Sequence, residues 1–490
     1  MQRVSFIALA TGKILRSIAI PCALALLLVG LACPRASGDV GVVLNESLDT
    51  SLDRITGTGH SAVYFSRICP DSPVKLRLCG PGEHGSVMSN YINIGEDQPF
   101  EWNVVPLNVY LYGVEDAQNR PIFGSYKVKH VLEERYRKNY LSSLCASDPC
   151  MTSYKSEWRE MVAATLIRSV YIFAIDTTEE QDRKLIAEFN DLPNENHFNG
   201  VTRNCADFTR RVINAYFSNA TRPDYLNDFG MTSPKAIARS FTRYGLHHPE
   251  SNLRVLHFAQ VPGTIKRSRE VRAGTEQLYR SKKFLIPMIL FADPAVPAVA
   301  GSYLLTGRFN PGHEFERHPA VQELSPQDKR SGTVVPEERT RVVGTSKEWK
   351  EYRKAFDSIV GQYIQEDVID DRGDLKRFFK HFDKAGTPFV DEHGLLWMEI
   401  PANGESAKVG LSAGNVLARD SDPKLAHELL LTRIDHVLKS PKHSREPMIE
   451  FVQDWATLQR ASEKRAMTLA RNASPPKGLK NTPRRDGADD

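Results

Sequence analysis

The chain has 490 residues, of which 41% are hydrophobic and 25% are charged, and its formal net charge at pH 7 is +4. This composition is that of ordinary globular domains and excludes fibrous and wholly disordered proteins, and the length allows about two to four hydrophobic cores. So slight a charge over so long a chain gives no reason to expect nucleic acid as a partner.

The N-terminal segment has the pattern of an export signal. Basic residues precede an uncharged run from Ile18 to Ala32, and Ala36-Ser37-Gly38 suits cleavage before Asp39. Two alternatives stay open, an uncleaved membrane anchor and lipidation at Cys33. We predict residues 1–38 to be a signal peptide and the protein to be exported, to the periplasm or the outer face of the cytoplasmic membrane.

The cysteines that follow this signal suggest two local disulfides and one free thiol. Cys69 and Cys79 flank a proline-rich turn, and Cys145 and Cys150 bracket four residues. An oxidising compartment permits both bridges, which leaves Cys205 without a partner. Zinc is the other use for such cysteines, but the spacings do not match a finger or ribbon. We therefore expect no metal and no other cofactor.

The first candidate strand after the signal begins at a histidine. The run from Gly59 to Phe65 opens on a glycine and continues through His60 into β-prone residues. The segment from Pro70 to Leu78 has the turn residues of a hairpin. In that hairpin Glu83 or His84 would lie near His60.

The next segments carry ordinary secondary-structure signals. We predict strands at Trp102 to Val105, Leu107 to Tyr112 and Val170 to Ile175, and helices at Tyr126 to Leu144 and from the capping box at Thr178 to about Asn190. Strands that carry a histidine thus come first, and helices follow them.

Cys205 is the residue around which we interpret the chain. Asn204 is a suitable helix cap, and Asp207 lies where a capping box places its acidic partner. The thiol would then open a helix, where unpaired N–H groups and the helix dipole lower a thiol pKa and activate a nucleophile. The alternative is a small buried hydrophobic residue at a helix start.

The remaining sequence divides by composition into a connecting region, a helical region and a tail. The connecting region, 233–345, contains an apolar segment at 284–307. This segment could be a membrane span, a buried hairpin or a lid that contacts the membrane surface. Residues 346–471 have helical spacing of apolar side chains, with a hairpin turn at Asp391 to Gly394 and a helix that starts at Pro423. We predict residues 472–490 to be a polar, disordered tail.

Two segments together resemble the circularly permuted papain-like fold, in which the histidine precedes the cysteine. They are Gly59-His60-Ser61-Ala62-Val63-Tyr64 and Asn204-Cys205-Ala206-Asp207-Phe208. More narrowly, the segment from Val43 to Asn219 is similar to the bacterial Lnb N-terminal periplasmic domain. The resemblance implies an α+β protein. Its permuted papain-like domain, an antiparallel sheet packed on helices, would span residues 39–232 and precede the mostly helical region.

The resemblance also implies a chemistry. Cys205 would be the nucleophile and His60 the base, with Glu83, or alternatively His84, holding the imidazole. The reaction would be acyl transfer through a thioester on a cell-envelope substrate, with lipid or lipoprotein slightly favoured over a peptidoglycan peptide. The rival hypothesis is a binding or scaffold protein that keeps the papain-like core without turnover.

Overall fold

The computed structural model describes residues 38–48, 59–90, 100–142, 160–195, 198–199, 202–228, 230–276, 301, 303–320, 344–402, 405–440 and 446–473. These residues combine α-helices with antiparallel β-sheets, so the predicted α+β class is confirmed. The predictions for the signal peptide, for Cys145 and Cys150, for most of segment 284–307 and for nearly all of the tail concern residues outside the described ranges.

In the described part of the chain the strands form three sheets, and in the largest of these their order in space differs from their order along the chain. The strands are β1 Gly38–Asn45, β2 His60–Phe65, β3 Ile68–Ser72, β4 Lys75–Leu78, β5 Ser86–Ser89, β6 Asn103–Pro106, β7 Val170–Thr177, β8 Arg254–Phe258, β9 Thr387–Val390, β10 Leu396–Ala402 and β11 Glu405–Gly410. The main sheet has six strands in the order β6-β5-β2-β1-β7-β8, and β11-β10-β9 and β3-β4 form two smaller sheets.

The helices surround the main sheet and form much of the C-terminal region. They are α1 Leu107–Tyr112, α2 Tyr126–Tyr136, α3 Ala164–Ile167, α4 Glu179–Asp191, α5 Cys205–Tyr216, α6 Pro234–His247, α7 Pro311–Arg317, α8 Ser346–Gln365, α9 Arg372–Ala385, α10 Pro423–Lys439 and α11 Met448–Ala473. Among the described residues, no helix is both long and apolar enough to cross a membrane.

The central strands β1 and β2 are buried on both faces, because helices cover the main sheet on each side. Leu44 and Val63 belong to the core that α5 and α6 share, whereas Val43 and Ala62 belong to the core on the opposite face. Successive side chains of a strand point to opposite faces, so this assignment fixes the face of every residue in β2.

The hairpin predicted between Pro70 and Leu78 is present as β3 and β4. Cys69 and Cys79 are joined by a disulfide that ties this hairpin, as predicted. Because such bridges persist in oxidising compartments, the disulfide is compatible with export.

One predicted strand is wrong. The segment Leu107–Tyr112 is a helix, preceded by Pro106 and ended by Gly113 in the left-handed conformation. All six of its residues are buried. A short apolar run that is buried all round has no periodicity that separates strand from helix, which explains the error.

The main sheet extends beyond residue 232, where we predicted the first domain to end. Strand β8 pairs with β7 in register from Val170↔Phe258 to Ala174↔Arg254. Helix α6 also lies on this sheet, with Ile237 and Phe241 in its core. Residues of the predicted connecting region therefore complete the fold that carries Cys205.

The C-terminal region contributes to two cores. Helices α8, α10 and α11 share a core that includes Phe356 and Leu458. Helix α9 and strands β9 to β11 instead pack into the core of the main sheet, where Phe123 lies 5.3 and 5.1 Å from the rings of Phe379 and Phe382. The turn before β10 and the helix start at Pro423 are present as predicted.

Candidate active site

Cys205 opens helix α5, as the sequence predicts. The Asn204 carboxamide oxygen accepts hydrogen bonds from the N–H groups of Ala206 at 2.8 Å and Asp207 at 3.0 Å. The Asp207 carboxylate in turn accepts from the Asn204 N–H at 3.4 Å. This reciprocal pair is the predicted capping box, and it holds the first turn of α5 in place.

Contacts beyond the helix fix this turn against the rest of the protein. The Asn204 amide donates to the Thr232 carbonyl at 3.1 Å, and the Thr232 hydroxyl donates to Asp207 at 2.6 Å. Phe208 and Val212, four residues apart on α5, are buried in the core on this face of the main sheet. The position of the Cys205 thiol is therefore set by the cap and by the apolar face of the same helix.

The Cys205 sulfur lies against strand β2. It receives hydrogen bonds from the N–H and the hydroxyl of Ser61 and from the N–H of Ala206. The Thr209 hydroxyl lies 2.8 Å from the Cys205 carbonyl oxygen and 3.3 Å from the Ser61 hydroxyl.

The environment nevertheless raises the pKa of the Cys205 thiol. Burial is the largest cause, and the charge of Asp207 adds to it, whereas the hydrogen bonds from Ser61 and Ala206 lower the pKa. The prediction that the helix start lowers this pKa is therefore wrong in its net direction. Desolvation exceeds the N-terminal effect, so the resting thiol is protonated at neutral pH.

His60 is the first residue of β2, as predicted, and is buried. Its Nε2 lies 3.2 Å from the Ser89 hydroxyl on the neighbouring strand β5, and Asn45 is opposite it on β1. Burial lowers the pKa of His60 well below its usual value, and the charge of Arg168 lowers it further. The imidazole is therefore neutral at neutral pH and can accept a proton.

Cys205 and His60 lie at the same end of β2. Alternation directs Ser61 toward α5 and His60 toward the face that holds Asn45 and Tyr110. Burial raises the pKa of Tyr110 to about 12, and the charge of a Cys205 thiolate contributes to that rise. The sulfur is thus within electrostatic reach of the Tyr110 hydroxyl, which itself accepts a hydrogen bond from Asn45 at 2.6 Å.

Glu83 is not where the sequence predicts it. In the sheet Phe65 pairs with Ser86, so residues before Ser86 lie beyond the far end of β2 from His60. Five residues of strand separate the two ends, about 16 Å. Both Glu83 oxygens bind Arg77, at 2.6 and 2.7 Å, which is the arrangement of an exposed turn. The predicted proximity is wrong for Glu83 and for His84 alike, and Ser89 contacts His60 instead.

Three polar residues of this site were not predicted from the sequence, namely Ser61, Ser89 and Thr209. All three are fully buried. The Ser89 hydroxyl contacts His60, whereas those of Ser61 and Thr209 contact Cys205. Strand alternation from His60 could have indicated that Ser61 faces the opposite side of the sheet. No sequence signal could have indicated Ser89, because its contact depends on which strand pairs with β2.

A cleft of about 340 Å³ opens beside the start of α5. Its lining includes Asn90, Glu101, Asp207, Arg203, Arg210 and Arg211, with Phe208 as its one apolar side chain. We call it the α5 cleft. The cleft is lined by Asn90, which follows Ser89 and strand β5, and by residues of the first turn of α5. A larger cleft of about 770 Å³ lies between α2 and β9, on other elements. Cys205 is not among the lining residues of either cleft, and the α5 cleft approaches it through its neighbour Asn204.

Metal binding finds no support in the paired cysteines. Cys69, Cys79 and Glu83 lie close together, but the two sulfurs already form a disulfide. A disulfide offers no thiolate to a metal ion. The Cys205 thiol, in contrast, is unpaired with any other cysteine among the described residues.

No protein-family model and no curated protein matches this chain. Among solved structures, the crystal structure of a type VI secretion system effector, TseH, aligns with 12% sequence identity and a TM-score of 0.21, covering 45% of this chain and 98% of the other.

The raised thiol pKa leads to a first prediction. Alkylation of Cys205 by iodoacetamide requires the thiolate, so the rate should rise with pH and reach its midpoint above that of an unperturbed thiol, about 8.5. Ser61→Ala removes a donor that stabilises the thiolate and should move the midpoint higher still. The measurement is the alkylation rate at Cys205 across pH, followed by peptide mass spectrometry.

Ser86→Ala is the matched control, because Ser86 is a buried serine of the same sheet that donates to the Ile68 carbonyl and does not contact the sulfur. A midpoint below 8.5 in the wild type, or an unchanged midpoint in Ser61→Ala, would contradict the described environment of the thiol.

Proposed function

We propose that this chain is an exported cysteine hydrolase or acyltransferase of the permuted papain-like type, in which Cys205 is the nucleophile and His60 the base. The observation that carries the proposal is the Cys205 thiol, which lies at a helix start beside three hydrogen-bond donors and adjoins the strand that begins with His60. A neutral thiol and a neutral imidazole are the starting states that the two pKa shifts favour.

The reaction follows from these states. A substrate carbonyl enters beside Cys205, and the sulfur attacks its carbon while His60 takes the thiol proton. Because the His60 side chain faces the side of β2 opposite α5, this transfer requires its ring to reach the sulfur past the end of the strand. We assign this transfer to Nδ1, because Nε2 approaches Ser89. The tetrahedral intermediate collapses to a thioester, and the His60 proton passes to the leaving amine or alcohol. Water or an amine then attacks the thioester, and the thiol is restored.

Positioned backbone donors assist such a step. The N–H of Cys205 is at the first turn of α5, where helix N–H groups have no intrahelical partner and the dipole favours negative charge. This group is our candidate donor to the oxyanion of the tetrahedral intermediate. Ser89 acts as a positioning residue, because its hydroxyl can accept the Nε2 proton and so select the tautomer with a basic Nδ1.

The α5 cleft favours an amide of a peptide over a lipid ester. Its lining is almost wholly polar, and Phe208 is the one apolar side chain among its described residues. An acyl chain would require an apolar approach to the sulfur, whereas a peptide offers N–H and C=O groups to polar walls. We therefore favour a peptide of the cell envelope as substrate, which reverses the slight preference for lipid taken from sequence.

Trapping the acyl intermediate tests the proposal. The protein is incubated separately with a digest of purified peptidoglycan and with phospholipid vesicles, then quenched in acid and analysed by intact-mass and peptide mass spectrometry. We expect an acyl adduct on Cys205 with the peptide material, together with a released amine. Cys205→Ala is the control and should form neither.

The other outcomes are equally informative. An adduct formed with vesicles alone would favour the lipid acyltransferase hypothesis. Absence of adduct and product from both materials, with the protein folded, would favour the binding or scaffold hypothesis.

A further inference from the structure

The walls of the α5 cleft contain hydrogen-bonding groups that the protein leaves unused. Asn90 is 4% exposed, and its amide donates to the Glu101 carbonyl at 2.6 Å. Its carboxamide oxygen is buried and has no hydrogen-bond partner among the described residues. A buried acceptor without a partner is costly, so an occupant that supplies an N–H group would be favoured there.

Arg210 provides the complementary group. Its Nε is buried and has no hydrogen-bond partner within the described ranges. Within the described residues, Arg210 forms one ion pair, in which its Nη2 lies 3.7 Å from the Asp207 carboxylate. This distance is long for an ion pair. A guanidinium binds a carboxylate best through two parallel N–H donors, and this geometry is not fulfilled by Asp207.

The neighbouring charges of the cleft are already engaged. Arg211 pairs with Glu101 at 2.8 Å and its guanidinium lies 5.4 Å from the ring centre of Phe208. Asp207 accepts the short hydrogen bond from Thr232 and caps the helix through Asn204. Arg210 therefore differs from Arg211 in having a guanidinium nitrogen that the described residues leave without a partner.

We propose that the α5 cleft binds an acidic peptide, with Arg210 recognising a carboxylate and the Asn90 carboxamide oxygen accepting a peptide N–H. The inference deepens the proposed function, because it names the class of peptide that would be presented to Cys205. Asn90 follows β5 and Arg210 belongs to α5, and both line the cleft, so together they would select the charge and the backbone of the occupant.

Binding to full-length Cys205→Ala tests the inference without turnover. Three otherwise identical acetylated pentapeptides serve as probes: one with a central Glu and an amidated C-terminus, one with a central Gln and a free C-terminus, and one with a central Gln and an amidated C-terminus. Isothermal titration calorimetry should show that at least one acidic probe binds about tenfold or more tightly than the neutral probe. The acidic probe that binds tells whether a side-chain or a terminal carboxylate is recognised.

Second substitutions in the Cys205→Ala protein identify the residues. Arg210→Gln should remove the preference for the acidic probe, and Asn90→Leu should weaken all three probes by a similar factor. Arg183→Gln is the matched control, because Arg183 is exposed and pairs with Glu179 on another helix. Thermal melts show that each variant is folded.

Equal binding of acidic and neutral probes, or a preference that persists in Arg210→Gln, would overturn the inference. Because Cys205→Ala performs no chemistry, acidic binding without any acyl adduct in the wild type would remove the proposed catalysis and leave the peptide site intact.

Discussion

His60→Ala is expected to lower kcat/KM of the proposed hydrolysis by about a thousandfold, because a general base contributes about 10² to 10⁴ to such reactions. Ser89→Ala should lower it by a smaller factor, about tenfold, since the base remains and only the orientation of its ring is lost. The measurement is the release of amine from the peptide substrate found by the trapping experiment, at several pH values.

The pH profile separates catalysis from a structural role. The pKa of His60 is depressed, so the neutral base persists as pH falls through 6.5, and wild-type activity should decline only at lower pH. Loss of the Ser89 contact should alter this acidic limb, whereas Ser86→Ala, at another buried serine of β5, should leave it unchanged. An unchanged kcat/KM in a folded His60→Ala protein would show that His60 is a structural histidine.

Gly59→Ala is expected to destabilise the protein by about 3 kcal/mol or more and to displace His60. Gly59 has a φ of +68°, a backbone conformation that disfavours a side chain. A Cβ there would also overlap the Asn45 carbonyl oxygen and a methyl group of Val271. The backbone that leads into β2 therefore has no room for any other residue.

Gly82→Ala is the matched control for this prediction. Gly82 has a φ of +85°, but a Cβ there would meet nothing within 4 Å. Gly82→Ala should therefore lower the free energy of unfolding by only about 1 kcal/mol, the cost of a side chain in the left-handed backbone conformation. Urea denaturation followed by circular dichroism measures both variants. Equal destabilisation by the two substitutions would show that close packing around Gly59 contributes nothing.

Local signals in the sequence were sufficient wherever one turn or one hairpin decides the structure. The cap of α5 by Asn204 and Asp207, the cap of α4 at Thr178 and the disulfide between Cys69 and Cys79 are all present as predicted. Each depends on residues that are close in the chain, so the pattern itself contains the interacting partners.

Which residues contact His60 in the site is decided by strands that are distant in the chain. Ser89 contacts His60 across two paired strands, whereas Glu83 points away from that end of the sheet because Ser86 pairs with Phe65. Nothing in the local sequence specifies which strand pairs with β2 or in which register.

The sequence by itself determined that a free thiol opens a helix and that a histidine begins a strand, because caps and β-prone runs act over a few residues. Only the tertiary structure decided that the thiol is protonated at rest, that Ser89 rather than a carboxylate contacts His60, and that a polar cleft lies beside the first turn of α5. Burial and strand pairing, which sum contributions from the whole fold, control these properties.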